Sequence, residues 1–255
     1  MDHRNYQYGD DLLAGRIILV TGASDGIGRA LALEIARVGG RVVLHGRNAR
    51  KLEKVYDVIE AIPGAARPSI AVMDLASADS AAYTTLADSI GDEMGHLDGL
   101  VHNASILGSR QPIEHYDAAE WQKVMHVNVT AAFALTQVFL PWLRAAEDAS
   151  VIFTSSGVGR QGRAFWGAYA VSKFATEGLS QVLAAEHEHT SLRVNCVNPG
   201  PTRTAMRLAA YPAENRDALK TPGQVLAPYL YLLGARESGR DRPEPGFAIS
   251  GVSGS

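Results

Sequence analysis

The stretch IILVTGASDGIG, residues 17–28 of 255, decides the fold of this chain. Its first half is an apolar, β-branched run of the kind that forms a buried strand. Three glycines follow in the pattern G-x-x-x-G-x-G, and an amphipathic helical pattern continues over 29–38. Glycines at such a turn let the backbone approach a phosphate group, which free N–H groups at the helix N-terminus can bind. The order predicts a phosphate-binding loop, with an ordinary strand–helix turn as the alternative.

The same strand-to-helix order repeats along the chain. Amphipathic stretches such as 51–61 alternate with apolar runs, and two helical stretches are unusually long, at 117–143 and 168–187. The apolar runs predict buried strands at 17–20, 42–44, 70–73, 100–101, 151–153 and 194–197. Such alternation produces right-handed β-α-β units. The predicted fold class is α/β: a single-domain, Rossmann-like, doubly wound parallel sheet of six to seven strands with helices on both faces.

The composition shows no break that would mark a second domain, so we expect one domain over residues 1–255. Residues 1–14 form an N-terminal extension in this interpretation. The irregular stretch 200–223, rich in Pro, Thr and Arg, is a candidate substrate lid. The tail 234–255 is rich in Gly, Pro, Ser and Arg and is expected to be partly flexible, with room for a short strand near 247–249.

The bulk properties narrow the class of protein. A net charge of −3 gives no reason to expect nucleic acid or an anionic membrane as partner. The N-terminus lacks the basic start and apolar run of a signal peptide, and no apolar stretch approaches the length of a membrane span. Cys196 is the only cysteine, so no disulfide can form within the chain. We expect a soluble, cytoplasmic protein. His187 and His189 lie two apart and face different sides of a helix, so no metal site is expected.

The glycine loop follows the first strand of a β-α-β unit, which favours a dinucleotide as its ligand. A site for NAD would place Asp or Glu at the end of the second strand to bind the ribose 2′-OH, but here Gly46 and Arg47 stand there. A guanidinium can pair with a 2′-phosphate, so we expect NADP(H) as the preferred cofactor, with NAD(H) possible. Asp25 lies where a basic residue would help further, and Arg47 could be a surface charge. Asp74, after the third strand, could bind the adenine amino group or cap a turn.

Tyr169 and Lys173 lie four residues apart at the start of a predicted helix and therefore share one face. A nearby ammonium favours the phenolate, so the pair predicts a tyrosine with a lowered pKa that can transfer protons. Ser156 follows the fifth strand, where its hydroxyl could donate to a substrate carbonyl. Taken singly, each feature has a plain alternative: a chance pair on a helix, and a serine in a turn.

Together these residues resemble the short-chain dehydrogenase/reductase family over nearly the whole chain. Order and spacing both match the motifs of that family, which are Thr21–Gly28, Asp74, Asn103-Ala104, Asn128, Ser156, residues 169–173, and Asn198-Pro199-Gly200. The sequence is similar to those of the YciK-like oxidoreductases of proteobacteria. The stretches that carry this likeness are RIILVTGASDGIGR, FTSSGVGRQGRAFWGAYAVSKFATEG and RVNCVNPGPTRTAMR.

The resemblance implies hydride transfer between NADP(H) and a carbonyl or secondary alcohol substrate. Tyr169 would be the acid/base, Lys173 would lower its pKa and hold the nicotinamide ribose, and Ser156 would polarise the carbonyl. Asn128 would hold a water that links Lys173 to solvent. The full set implied to contact cofactor is Gly22, Ser24, Asp25, Gly26, Ile27, Gly28, Arg47, Asp74, Leu75, Asn103, Ala104, Tyr169, Lys173, Pro199, Gly200 and Thr204.

Two departures from the family pattern concern assembly and the cofactor site. Ser105 replaces a glycine beside the ribose, and the tail lacks the usual Thr-Gly start and Asp-Gly-Gly end of a seventh strand. A tetramer through that edge is therefore in doubt. We expect a homodimer through the two long helices, with a homotetramer as the alternative.

Alternatives of function remain open. A non-catalytic NADP(H)-binding regulator or scaffold would keep the fold, but it would not need all four of the Asn, Ser, Tyr and Lys residues. A lyase or epimerase would use retained nicotinamide without net redox change. The substrate is not named by the sequence. Arg203 and Arg207 in the lid could favour an anionic group on the substrate. Together with Met206 and Tyr211 they could select the substrate, or all four could be side chains on the surface of a loop. Trp166 is the tryptophan near enough to Tyr169 to touch substrate.

Overall fold

The computed structural model describes residues 6–234 and 248–250 and confirms the predicted fold class. Seven parallel strands form one sheet in the order β3-β2-β1-β4-β5-β6-β7. Their bounds are β1 Ile17–Thr21, β2 Arg41–Gly46, β3 Ser69–Val72, β4 Gly99–His102, β5 Ser150–Thr154, β6 Arg193–Asn198 and β7 Ala248–Ser250. All six strands expected from apolar runs are present. The chain reverses direction across the sheet between β1 and β4, and this reversal opens a crevice at the carboxyl ends of those strands.

Helices connect successive strands, and side-chain caps explain where several of them begin. Asp25, Asn48 and Asp79 each accept a hydrogen bond from a backbone N–H in the first turn of the helix that follows. The α-helices are α1 Gly26–Arg37, α2 Ala49–Glu60, α3 Ser80–Met94, α4 Ala118–Met125, α5 Ala131–Ala145, α6 Gly167–Glu186, α7 Ala205–Ala210 and α8 Ala227–Leu233.

Two hydrophobic cores lie on opposite faces of the sheet. On one face α1, α2 and α8 pack with side chains such as Leu31 and Leu230 buried among them. On the other face α3, α5 and α6 pack through residues such as Ile90, Phe139 and Leu183. Because both faces are covered, the strands are apolar throughout rather than alternating, and the arrangement is doubly wound.

The first long helix differs in two ways from the sequence-based expectation. A π-helical segment, His126–Thr130, joins α4 to α5, so the backbone is helical without a break over 118–145. At 28 residues it is long and apolar enough to cross a membrane by length and composition, although no such stretch was expected. The physical reason for its apolarity is visible in the packing: Leu135, Phe139 and Leu143 are fully buried against the sheet.

Both ends of the chain touch the sheet within the described residues. Leu13 is fully buried, and its N–H donates to the Val38 carbonyl over 2.9 Å, so part of the N-terminal extension packs on the core. The strand expected near 247–249 is β7, whose Ala248 lies in register with Cys196 of β6. The expected flexibility of the tail concerns residues 235–247 and 251–255, which lie outside the described part of the chain.

Candidate active site

A cleft of about 500 Å³ opens at the carboxyl ends of the strands. It gathers residues from every part of the chain that the sequence singled out. Those that line it are Gly22, Ser24, Asp25, Gly26, Ile27, Arg47, Asp74, Leu75, Asn103, Ala104, Ser156, Tyr169, Lys173, Pro199, Gly200 and Thr204. Two predicted site residues, Gly28 and Asn128, do not line the cleft and lie beneath its floor.

The glycine loop is shaped for close approach of a ligand backbone. Gly22 has a φ of 69°, a conformation that favours glycine, and a Cβ there would lie 3.0 Å from the Cα of Ala104. A Cβ on Gly28 would clash with the Gly22 carbonyl oxygen, so this glycine serves close packing of helix against loop. Gly26 and Ile27, at the N-terminus of α1, line the cleft. A pyrophosphate group fits this cradle.

The charges at the end of β2 suit a 2′-phosphate on the ribose, in addition to the pyrophosphate. Arg47 is exposed and lines the cleft, where a carboxylate would otherwise stand. Asp25, whose charge would oppose a phosphate, lies 3.7 Å from the Lys51 ammonium and also accepts from the Gly26 N–H over 2.7 Å. Asp74 caps a turn, because its Oδ1 accepts from the Ala76 N–H over 3.0 Å. The residue also lines the cleft, and its contact with the adenine amino group stays a prediction.

Asn103 connects the ends of β1 and β4. Its Nδ2 donates to the Thr21 carbonyl over 3.1 Å, and its backbone N–H donates to the Thr21 hydroxyl over 2.9 Å. Asn103 therefore holds the loop at Gly22 as well as lining the cleft. Ser105, the residue that departs from the family glycine, also lines the cleft, and its Oγ is buried without a hydrogen-bond partner.

Tyr169, Ser156 and Lys173 meet on one wall of the cleft. Tyr169 and Lys173 occupy successive turns at the start of α6, and the Lys173 Nζ lies 5.6 Å from the centre of the Tyr169 ring. The Nζ donates to the Thr154 carbonyl at the end of β5 over 2.7 Å. A hydrogen bond from Ser156 reaches the Tyr169 hydroxyl. Strand β5 and helix α6 thus bring together two hydroxyls and an ammonium.

The pKa of Tyr169 departs from its ordinary value in the direction opposite to the expectation. Burial raises it to about 12, and the hydrogen bond with Ser156 opposes this rise only in part. The predicted net lowering of the Tyr169 pKa is therefore wrong for the protein by itself. The physical reason is that both groups are buried: burial lowers the pKa of Lys173 to about 8, and its ammonium is directed at the Thr154 carbonyl.

Asn128 lies in the π-helical segment, a feature that often marks functional sites. It is buried rather than facing solvent, and its side chain exchanges hydrogen bonds with the backbone of Ile106 over 2.8 and 2.9 Å. Beside it is a cavity of about 10 Å³, lined by Asn128, Lys173, Thr154 and Thr176 among others. A cavity of that size holds about one water molecule.

An ion pair between buried Glu177 and exposed Arg160 lies next to this wall and was not predicted from the sequence. The Glu177 carboxylate accepts from the Ser155 hydroxyl over 2.6 Å and from the Arg160 Nε over 3.1 and 3.0 Å to its two oxygens. Glu177 lies one turn after Lys173, and Ser155 precedes Ser156. The spacing of four from Lys173 is the signal that could have indicated it. This cluster fixes the turn that carries Ser156.

Two aromatic rings and an arginine form a cluster next to Tyr169. The Trp166 ring lies 5.8 Å from the rings of both Tyr169 and Tyr211, measured between centres. The Arg110 guanidinium lies over Trp166 at 4.7 Å and over Tyr211 at 4.6 Å, and it donates to the Ala210 carbonyl. Tyr211 and Met206 line the cleft from the candidate lid.

The candidate lid contains α7 and contacts the glycine loop. Thr204 caps α7 by accepting from the Arg207 N–H over 3.2 Å, and its methyl group lies 3.3 Å from where a Cβ on Gly26 would stand. The two lid arginines already have partners. The Arg207 Nε donates to Glu214 over 2.6 Å, and the Arg203 Nη1 donates to Asp217 over 3.2 Å outside the cleft lining.

Comparison with known proteins identifies the class. A family model described as short chain dehydrogenase matches residues 16–215. The chain belongs to the short-chain dehydrogenase/reductase family. It is 51% identical over 230 residues to the uncharacterised oxidoreductase YciK of Escherichia coli K12, covering 90% of each chain. This identity confirms the resemblance to YciK-like oxidoreductases.

Solved structures of similar proteins carry nicotinamide cofactors. A short chain dehydrogenase of Shigella flexneri 2a crystallised with NADP has a TM-score of 0.90 and 48% identity, covering 95% of this chain and 99% of that one. A short chain dehydrogenase of Escherichia coli CFT073 crystallised with NADPH has a TM-score of 0.91 and 48% identity, covering 96% and 100%.

Proposed function

We propose that this protein is an NADP(H)-dependent oxidoreductase that transfers hydride between NADP(H) and a carbonyl or secondary alcohol substrate. The observation that carries the proposal is the meeting of Ser156, Tyr169 and Lys173 on one wall of a cleft whose other end is a glycine loop. When bound, the nicotinamide supplies or accepts the hydride. The NADP and NADPH found with close structural relatives support the choice of cofactor.

Each side chain has a defined task in this proposal. The Tyr169 hydroxyl donates a proton to the carbonyl oxygen in reduction and accepts it in the reverse direction. Ser156 donates a hydrogen bond to the same oxygen and holds it against Tyr169. Burial raises the pKa of the Tyr169 phenol to about 12 and so disfavours the phenolate. The ammonium of Lys173 is therefore needed to favour loss of the proton. Asn128 and the adjoining cavity would hold a water that carries the proton onward.

We regard residues 1–255 as a single domain, with 200–223 as the lid over the substrate, and place the protein in the cytoplasm. A homodimer through the long helices is supported by an apolar stripe on α6, where Val171, Phe174 and Val182 are exposed, and by exposed Phe133 at the start of α5. A second copy of the chain would cover this stripe.

Tyr169→Phe tests the mechanism. Positioned acid–base catalysis contributes about 10²–10⁴-fold, so we expect kcat to fall by at least about 100-fold in NADPH oxidation with a panel of aldehydes and ketones. Binding of NADPH should persist. Tyr56→Phe, at a half-buried position of α2 outside the cleft lining, is the matched control. Turnover near that of the wild type in Tyr169→Phe would contradict the mechanism.

The same panel distinguishes the alternative functions. Tight NADPH binding by the wild type with no turnover of any carbonyl would favour a regulator or scaffold, and retained cofactor without net redox change would favour a lyase or epimerase.

A further inference from the structure

The substrate end of the cleft has walls of one chemical character. Around the Tyr169 hydroxyl, Val158, Trp166 and Ala210 form a buried apolar cluster with Tyr169 itself, and Leu107, Met206 and Tyr211 pack against it. Two of these side chains are aromatic: the Trp166 ring lies beside Tyr169, and the Tyr211 ring lies beside Trp166. Aromatic walls bind flat apolar groups well, because stacked and edge-on ring pairs add to the stabilisation from buried area.

The charge at this end is positive and uncompensated. Within residues 6–234 and 248–250, the acidic side chains that line the cleft are Asp25 and Asp74, both at the cofactor end. Arg163 lines the substrate end, next to Trp166, and has no ion pair or side-chain hydrogen bond with any described residue. Arg207 also lines that end, but Glu214 neutralises it.

The segment that carries Arg163 is held in a strained conformation. Phe165 has a φ of 69°, which is a genuine outlier for a bulky residue, and its side chain is 54% exposed. Strain of this kind persists where the surrounding structure enforces it, and it concentrates at functional sites. Phe165 lies between exposed Arg163 and buried Trp166, and both of these residues line the cleft, as Tyr169 does.

From these observations we infer that the substrate is a carbonyl compound with a flat, apolar body and an anionic group, carboxylate or phosphate, that pairs with Arg163. The inference rests on the proposed function and deepens it. It also transfers the anion-binding role from Arg203 and Arg207, whose charges already have partners, to Arg163. Arg110, whose guanidinium lies against the Trp166 and Tyr211 rings and donates to the Ala210 carbonyl, adds positive potential behind the aromatic wall.

Matched substrate pairs test the inference. NADPH oxidation is measured with 4-formylbenzoate against its methyl ester, and with phenylglyoxylate against its methyl ester. A charge-assisted contact contributes enough to expect that the wild type favours the acids over the esters in kcat/KM by about tenfold or more. Arg163→Ala should remove this preference by lowering kcat/KM for the acids alone, and Arg163→Lys should restore part of it. Arg216→Ala, a lid arginine outside the cleft lining, is the control.

A binding experiment separates the failure of this inference from the failure of the proposed function. Benzoate and neutral benzamide are titrated into the protein saturated with NADP⁺. Tighter binding of benzoate that weakens in Arg163→Ala and with added salt supports the anion site even if no turnover is found. Esters reduced as well as acids, equal losses for both in Arg163→Ala, or equal binding of benzoate and benzamide would overturn the substrate class while leaving carbonyl reduction standing. Absence of turnover with every carbonyl compound would overturn the proposed function.

Discussion

Tyr169 illustrates how burial governs single residues in this protein. A raised pKa keeps its hydroxyl protonated at neutral pH, which suits a proton donor for reduction, and the lowered pKa of Lys173 shows that the same wall disfavours charge of either sign. Neither group needs to be ionised differently from its usual state near pH 7. Their function in the proposed reaction depends on position and on what the substrate and cofactor add.

Arg47 should decide between the two nicotinamide cofactors. In Arg47→Ala, the loss of a charge-assisted contact to a 2′-phosphate, roughly 1.5–3 kcal/mol, should weaken NADPH binding by about 10- to 100-fold. NADH binding should change little, because NADH lacks that phosphate. Fluorescence titration with both cofactors measures the effect, with Arg50→Ala on the exposed side of α2 as control. Equal weakening of both cofactors would contradict the assignment of NADP(H).

His45 should limit the stability of the protein in acid. It is fully buried, neither ring nitrogen has a hydrogen-bond partner, and burial lowers its pKa from 6.5 to about 4. The unfolded chain takes up a proton near pH 6.5 and the folded protein does not, so stability is present above that pH and is lost as the pH falls from 6.5 toward 4. His102 at the end of β4 is also buried, and its pKa is lowered to about 3, so it likewise reduces stability as the pH falls.

His45→Leu removes both the titration and the unpaired nitrogens. We expect a higher free energy of unfolding at pH 7 and a flatter decline between pH 6.5 and 4, by roughly 3 kcal/mol at most. Urea unfolding across that pH range measures it, and the exposed His189→Leu is the control. A decline as steep as in the wild type would show that His45 is not responsible.

At the scale of elements, the joint between β5 and α6 positions the reacting wall. Ser155 at the end of β5 and Arg160 in the following turn both bind Glu177 of α6, and Lys173 of the same helix binds the carbonyl of Thr154. Three contacts therefore fix one strand end against one helix. Gly159 makes the joint close, since a Cβ there would lie 2.9 Å from the Ser155 hydroxyl and 3.0 Å from Lys173.

Glu177→Gln should loosen this joint. The amide leaves the Arg160 charge unpaired and presents N–H groups to a guanidinium, so we expect a loss of about 1–3 kcal/mol in the free energy of unfolding. kcat should fall because Ser156 loses its support, while Kd for NADPH stays unchanged. Urea unfolding and steady-state kinetics measure these effects, and Glu186→Gln, exposed on the same helix, is the control. An unchanged kcat in a folded variant would remove the positioning role of Glu177.

At the scale of the whole molecule, the two long helices bury one face and leave the other unpaired. The apolar stripe of Val171, Phe174 and Val182 turns outward from α6, although the opposite face of the helix lies in the core. Exposed apolar stripes of this kind commonly mark an interface between subunits.

Phe174→Glu should convert a dimer to a monomer. A charge placed in an apolar interface is desolvated without a partner, which costs several kcal/mol across two symmetric copies. Light scattering coupled to gel filtration measures the mass, and Val58→Glu, on an exposed apolar position of α2, is the control. A wild-type protein that is already monomeric at micromolar concentration would rule out this interface.

The sequence by itself determined the fold class and showed where the first strand, β1, lies. Apolar runs, the helical periodicity and the glycines at 22, 26 and 28 are local signals, and local signals are enough to specify parallel strands joined by helices. The motifs, through the family resemblance that they carry, indicated most of the residues that line the cleft, although Gly28 and Asn128 do not line it. The π-helical segment around Asn128 left no local signal, since it depends on how the helix packs against Ile106 and Ser172.

Only the tertiary structure decided the electrostatics of the site. The pKa of Tyr169 is raised because the folded chain buries it, and no spacing between residues encodes that burial. The partners of charged side chains were hidden for the same reason: Glu177 accepts from the Ser155 hydroxyl 22 positions away, and Arg110 donates to the Ala210 carbonyl 100 positions away. Two lid arginines that the sequence offered for an anion pair with Glu214 and Asp217, while Arg163 at the cleft forms no ion pair within the described part of the chain. Contacts made in the folded chain set which charges remain available to bind the anionic substrate that we propose.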